Sequence, residues 1–223
     1  MSSSVLIIGA SRGIGLEFVR QYRAAGDRVV ATARSEDALA ALSALGATAL
    51  KLDVTDTASA SGLAWQIDGH QFDRVVINAG VYGPRSEGLQ TPTEADFDSV
   101  MHTNVLGPMR VLPQLADALA PDARIGLLSS RMGSIGLRTS SSGWLYRASK
   151  AAVNSVMKDA ALTLAGTASL CSFHPGWVRT DMGGSGADID VQTSVAGMRT
   201  VLGALRADQS GSFFNYDGQP LAW

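Results

Sequence analysis

The chain has 223 residues, 46% of them hydrophobic, with 18 basic and 20 acidic side chains and a net charge of -2. That length and apolar content suit one well-buried domain spanning 1–223. The near-neutral balance, with no run of Lys or Arg, argues against nucleic acid as a partner. One cysteine, Cys171, excludes an intramolecular disulfide, and His70, His102 and His174 lack metal-ligand spacing, so no metal is expected.

The opening MSSSVLIIGA has no basic region before its apolar run, and the run is too short for a signal peptide or a membrane helix. A cytoplasmic chain without membrane attachment is expected. SVLIIGA reads as a first strand, and GIGLEFVRQYRAAG as a helix ending at Gly26. DRVVATA is the second strand. SEDALAALSALG is a short helix, with Ser35 as N-cap and Gly46 as its stop. ATALKLDV is a third strand, DTASASGLAWQI a weaker helix and FDRVVINAG a fourth strand. After the loop VYGPRSEGLQTP, a long helix is predicted from about Thr93 to Leu119. Pro108 and Pro113 should bend or break it, since each removes a backbone donor. ARIGLLSS is the fifth strand, GWLYRASKAAVNSVMKDAALTLAG a second long helix and ASLCSFHPG a sixth strand, in which Cys171 reads as buried. DVQTSVAGMRTVLGAL is the last full helix, and GSFFNY a closing short strand.

This alternation predicts an α/β fold: a single doubly wound, Rossmann-type parallel sheet of about seven strands with helices on both faces. Ligands bind such sheets at the carboxyl ends of the strands, near the switch in strand order. The unusual residues gather there: GASRGIG, TAR, DV, NAG, SSRMGS and HPGWVRT each follow or end a strand. Gly9, Gly13 and Gly15 are spaced G-x-x-x-G-x-G, wider than the common G-x-G-x-x-G fingerprint, yet still suited to a tight turn and a pyrophosphate at a helix N-terminus. An ordinary strand–helix turn would also use glycine. Tyr146 and Lys150 in YRASK are four apart and share a helix face. An ammonium beside a phenol favours the phenolate and should lower the tyrosine pKa. A surface Tyr/Lys pair is the plain alternative. Ser130 ends a strand, where a hydroxyl could polarise a substrate oxygen or simply serve a turn. Asn104 sits inside a predicted helix, where Asn is a poor choice.

Taken in order, the glycine loop, NAG, the in-helix Asn, the strand-end Ser and YxxxK resemble the short-chain dehydrogenase/reductase family, over Val5 to about Tyr216. LIIGASRGIG, INAG, LSSRMGSI, YRASKAA and FHPGWVRTDM are similar to its C-factor-like and sniffer-like carbonyl reductases. The resemblance implies a catalytic set of Asn104, Ser130, Tyr146 and Lys150. Tyr146 would be the general acid and Ser130 would orient the carbonyl. Lys150 would lower the Tyr146 pKa and bind the nicotinamide ribose, and Asn104 would hold a water relay. It implies cofactor binding by Gly9, Ser11, Arg12, Gly13, Ile14 and Gly15 in the loop. Asp53 and Val54 would flank the adenine, Asn78, Ala79 and Gly80 would line the groove, and the segment from Pro175 and Gly176 to Val178 and Thr180 would hold the carboxamide. Ile8 stands where the family commonly has Thr, which implies one lost local hydrogen bond. Ser140, Ser141 and Ser142 compete nominally with Ser130, but a strand end is the more rigid platform.

The second strand ends at Ala33 and Arg34, with no acid to bond a ribose hydroxyl, and Arg12 lies in the glycine loop. Two guanidinium groups could clamp a 2′-phosphate, so NADP(H) is the expected cofactor. Glu36 and Asp37 suit the start of the next helix instead. The expected activity is reduction of an aldehyde or ketone to an alcohol. Tyr82, Met132, Trp144, Trp177 and Met182 could line an apolar pocket for that small molecule, or pack in the core. The glycine-rich DMGGSGADID after Thr180 would form a brief lid. Small residues on the long helices, including Ala148, Ala152, Ser155 and Asp159, permit close packing between subunits, and the resemblance implies a homodimer or homotetramer. The rival reading is an NADP(H)-binding signalling or regulatory protein of C-factor type. A sugar-nucleotide epimerase would want a further substrate region for which this chain has little room.

Overall fold

The apolar run that opens the chain becomes an interior strand of the sheet, β1 (Ser4–Ile8), buried along its whole length. The computed structural model describes residues 2–223. The remaining strands are β2 (Arg28–Ala33), β3 (Thr48–Lys51), β4 (Phe72–Ile77), β5 (Leu119–Leu128), β6 (Ala168–His174) and β7 (Ser212–Asn215). They form one seven-stranded parallel sheet in the order β3-β2-β1-β4-β5-β6-β7. The order reverses at β1 and β4, which opens a crevice at their carboxyl ends.

Alternation along the strands sorts their side chains onto two faces. Val5, Ile7, Val29, Ala31, Cys171 and Phe173 face α1 (Gly13–Ala24), α2 (Glu36–Ala44) and α8 (Val191–Ala204), meeting Phe18, Tyr22, Leu42 and Met198. Leu6, Ile8, Val75, Ile77, Ile125 and Leu170 face the short helices α3 (Thr57–Ser61) and α4 (Leu63–Gln66), α6 (Gly107–Gln114) and α7 (Trp144–Thr163). Each face buries apolar area worth about 25 cal/mol per Å² removed from water, so the sheet is held between two helical layers.

The long helix is interrupted beside Pro108, as expected: it is α5 (Glu94–Met101), a π-helical turn at His102–Leu106 and then α6. Pro108, in the first turn of α6, has no N–H with which to continue the α-helical ladder. The helix also ends earlier than Leu119. A 3₁₀ turn at Ala116–Ala118 leads into β5, because Leu119 already pairs with Phe72 before a register shift to Arg74 and Arg124. The weak helix after β3 divides at Gly62 into α3 and α4.

The close approach of α1 to the sheet rests on Gly15. A Cβ there would lie 2.6 Å from Asn78 Nδ2 and closer still to the Gly9 carbonyl oxygen. Gly15→Ala should therefore lower stability by about 1–3 kcal/mol in urea unfolding, against a neutral result if the helix could shift freely.

Candidate functional site

The carboxyl ends of β1, β2, β4 and the turn after β3 surround a groove of about 710 Å³. It is lined by Gly9, Ser11, Arg12, Gly13, Ile14, Arg34, Asp53, Val54, Asn78, Ala79, Gly80 and Thr180 from the predicted set. Gly9 has φ +85, and a Cβ there would lie 2.8 Å from the Ala79 backbone. Gly13 has φ +53 where the loop turns into α1. The missing Thr at Ile8 is compensated from the neighbouring strand: Gly9 N–H donates to Thr32 Oγ1 at 3.0 Å. Asn78 Nδ2 donates to the Gly9 carbonyl at 2.6 Å and ties β4 to the loop. No side chain caps the first turn of α1, and no acid lies in it. Its N–H groups, beside Gly13 and Ile14, thus suit an anionic ligand.

Arg12 and Arg34 both reach this groove, and each meets a carboxylate. Arg12 lies 2.9 Å from Asp181, and Arg34 lies 3.9 Å from Asp53. Both arginines are about three-quarters exposed, so these pairs are each worth about 0–1 kcal/mol and can open for a stronger partner. The Asp53 carboxyl is held below its ordinary value by hydrogen bonds from the Thr55 hydroxyl and N–H, with Arg34 adding to them and partial burial opposing. Asp181 was not among the expected residues. Its place in the segment after Thr180 gave no sign that it would meet the glycine loop.

The π turn carries Asn104, 1% exposed. Gly107 N–H bonds back to the His102 carbonyl, and Pro108 has no N–H to give to Asn104. The Asn104 side chain is fully engaged. Its Oδ1 accepts from Val81 N–H at 2.8 Å, and its Nδ2 donates to the Val81 carbonyl at 2.8 Å and to Ser149 Oγ at 2.9 Å. Ser149, fully buried, donates in turn to the Tyr146 carbonyl at 2.8 Å. Ser149 was missed in the sequence, although a serine in mid-helix between Tyr146 and Lys150 is the kind of poor helix former that signals a use.

Ser130, Tyr146 and Lys150 meet at the end of β5 and the start of α7, and all three are buried. The Ser130 hydroxyl also accepts from Met132 N–H at 3.1 Å. Burial pushes the Tyr146 phenol up to about 12, with the nearby Ser130 hydroxyl pulling the other way. Burial alone pushes the Lys150 ammonium down to about 8. The expected lowering of the tyrosine by the lysine is thus corrected. Lys150 Nζ lies 5.6 Å from the Tyr146 ring centre and donates to the Leu128 carbonyl at 2.9 Å, and desolvation of both groups outweighs their attraction. At neutral pH the phenol keeps its proton. Tyr82 stacks on Tyr146 with ring centres 4.5 Å apart, and Arg85 lies 5.6 Å over the outer face of Tyr82. Gly143, at φ +66, leaves room for the Tyr82 hydroxyl.

Gly80 joins the groove to this cluster: a Cβ there would stand 3.3 Å from Asn104 Oδ1 and 3.4 Å from Lys150 Nζ. Pro175, Gly176 and Val178 are not among the residues that line the groove. The Pro175 carbonyl accepts from Ser194 Oγ, Gly176 has φ +84, and Val178 bridges Ile189. Thr180 Oγ1 accepts from Gly183 N–H at 3.2 Å. Ser140, Ser141 and Ser142 are exposed in a loop. Trp177 and Met182 are exposed, while Trp144 and Met132 are half-buried.

A Rossmann-like sheet, a wide glycine loop at its switch point and a Ser–Tyr–Lys cluster at the end of β5 are the marks of a class of dinucleotide-linked oxidoreductases, and the family described as short chain dehydrogenase matches residues 3–190. The chain belongs to that family. It is 36% identical over 154 residues to C-signal of Myxococcus xanthus, covering 68% of this chain and 92% of that protein. A short-chain dehydrogenase/reductase structure from Burkholderia multivorans with bound NADP superposes with a TM-score of 0.92 at 34% identity, covering both chains fully. Carbonyl reductase Sniffer of D. melanogaster superposes with a TM-score of 0.86 at 30% identity, again over both chains.

Lys150 binds its proton more weakly folded than unfolded. Between about 8 and 10.5 the unfolded chain holds more protons, so the cost of burying the ammonium is present below about pH 8 and vanishes above 10.5. Lys150→Met should therefore be the more stable protein at neutral pH, by about 1 kcal/mol once the lost bond to Leu128 is counted. Urea unfolding followed against pH should show that gain disappear and reverse above pH 10.5.

Proposed function

We propose that the chain is an NADPH-dependent carbonyl reductase that converts an aldehyde or ketone to an alcohol. The observation that carries this reading is the convergence of the buried Ser130, Tyr146 and Lys150 side chains, with Gly80 of the groove wall next to Lys150 Nζ. A phenol beside a hydroxyl is placed to pass its proton to a substrate oxygen, as reduction requires, once bound cofactor and substrate offset the burial that raises its pKa. The bound cofactor supplies the hydride for the carbonyl carbon. Ser130 Oγ–H orients and polarises the carbonyl, and Tyr146 Oη delivers the proton. Lys150, with one carbonyl acceptor already taken at Leu128, has further N–H bonds to offer a ribose hydroxyl. Asn104 holds the Val81 backbone and, through Ser149, the start of α7, so in this protein it acts as a positioning residue for Tyr146 as well as a candidate relay member.

The groove suits the cofactor. Gly9 and Gly80 leave space that side chains would fill, the uncapped α1 turn suits the pyrophosphate, and Arg12 and Arg34 suit the 2′-phosphate. Pro175, Gly176, Val178 and Thr180 remain the expected holders of the carboxamide. The Tyr82–Tyr146 stack and the exposed Trp177 and Met182 favour an apolar or aromatic carbonyl compound. The whole of 1–223 acts as one domain in the cytoplasm. Exposed Ala148, Ser155, Asp159 and Leu162 on α7, with Met109 on α6, support association as a homodimer or homotetramer.

A second reading is favoured by the likeness to C-signal: an NADP(H)-binding signalling protein in which reduction is secondary. Tyr146→Phe separates the two. On the enzymatic reading it lowers kcat for a carbonyl panel by about 100-fold or more with NADPH affinity retained. Biological output that survives that loss favours signalling. Arg12→Ala and Arg34→Ala should each raise KM for NADPH about tenfold and leave NADH kinetics nearly unmoved. Equal turnover of NADH and NADPH by the parent protein would contradict the cofactor assignment.

A further inference from the structure

A second cavity, of about 300 Å³, lies on the same carboxyl edge of the sheet but at its β6–β7 side, walled by Arg131, His174, Asn215 and Gln219, with Leu137 and Leu221 among its apolar residues. Its position follows from the strands. His174 ends β6 and pairs in register with Asn215, the end of β7. After β7 the chain turns back on itself: Asn215 N–H donates to the Gln219 carbonyl and Leu221 N–H to the Phe213 carbonyl. That returning tail is fixed to the loop after Ser130, because Ser134 Oγ donates to Ala222 O at 2.7 Å and Ile135 and Gly136 N–H both donate to Trp223 O. Trp223 stacks on Phe213 with ring centres 5.4 Å apart.

The polar groups of this cavity are not used by the fold. His174 Nδ1 is buried without a hydrogen-bond partner among the described residues. Burial, with Arg131 adding to it, pushes the imidazole down to about 4, so the ring is neutral. The Arg131 guanidinium makes no ion pair or hydrogen bond among the described residues, nor do the side-chain amides of Asn215 and Gln219. No carboxylate lines the cavity. The carboxylate of Asp217 accepts from Gln219 N–H in the turn outside it. Arg131 and Gln219 are exposed and Asn215 is half-buried, so their donors meet solvent at the cavity and are free to meet a ligand instead.

We propose that this cavity is a binding site for a small organic carboxylate, its charge on the Arg131 guanidinium beside the neutral His174 ring and its apolar body against Leu137 and Leu221. A guanidinium grips a carboxylate through two parallel N–H bonds, and the two amides add neutral donors. The volume is too large for a bare inorganic ion and falls at the lower end of small-molecule pockets. The site is separate from the dinucleotide groove, yet Arg131 directly follows Ser130. An occupant therefore braces the loop that carries the carbonyl-orienting hydroxyl.

The test uses the NADP+-saturated protein, so that the groove cannot take the probe, and needs no turnover. Benzoate is titrated while the imidazole resonances of His70, His102 and His174 are followed by NMR. The site requires a saturable shift of the His174 resonances, none with uncharged benzamide, and an affinity at least about tenfold weaker in Arg131→Ala. Gln219→Leu, on the exposed turn, should weaken binding without bearing on the fold. Equal binding of benzamide, unchanged affinity in both variants, or benzoate binding that leaves His174 unmoved would each overturn the site. Failure of carbonyl reduction would leave this result intact, and the reverse also holds.

Discussion

The ammonium of Lys150 is buried with one fixed carbonyl acceptor, and much of the surrounding structure answers to that constraint. An uncompensated charge in such a place is costly, so its proton is held loosely. The same burial works on Tyr146 in the opposite chemical sense and keeps its proton in place. One desolvated cluster therefore contains a strong hold on the phenol proton and a weak hold on the ammonium proton. Such a pair of displaced groups is a recurrent mark of proton-transfer sites. The backbone is arranged to permit it. Gly133 lets the 3₁₀ turn at Arg131–Gly133 lie against the Lys150 backbone, where a Cβ would come within 2.7 Å, and Gly80 keeps the space between Asn104 and Lys150 clear.

Electrostatics divide the groove from this cluster. In the cluster, desolvation governs, because the groups are out of water. At the outer rim, Arg12 and Arg34 are exposed and their carboxylate partners Asp181 and Asp53 hold them only weakly. The rim is thus suited to exchange one anion for another. Asp181 belongs to the segment that follows Thr180, and that segment is tied down by Arg179, which donates to the Ala187 and Asp188 carbonyls, and by Trp177 Nε1, which donates to the Gly183 carbonyl. These bonds brace the loop that carries Asp181.

The strands and most helices were legible in the sequence, because each is long enough for its apolar period to speak. SVLIIGA could only be a buried strand, and Ser35 caps α2 through Ala38 N–H as its type and place suggested. Pro108 marked where the long helix would be interrupted but not the form of the interruption, a π turn that carries Asn104. No sequence period distinguishes a π turn inside a helix. Tyr146 and Lys150 could be paired by spacing, but the direction of their pKa changes depends on burial by the loops around Tyr82 and Gly133, which are remote in sequence. Ser149 and Asp181 are similar cases, short polar residues given meaning only by a partner from another part of the chain.

The central claim is that burial, rather than mutual attraction, sets the proton affinities of Lys150 and Tyr146. The direct measurement is NMR titration of 13Cε-labelled lysine, in a chain whose lysines are Lys51, Lys150 and Lys158. The resonance that Lys150→Met removes should titrate at about 8. Titration of that resonance at the ordinary lysine value of 10.5 or above would show that the ammonium is held by a favourable charge partner, and would contradict the account.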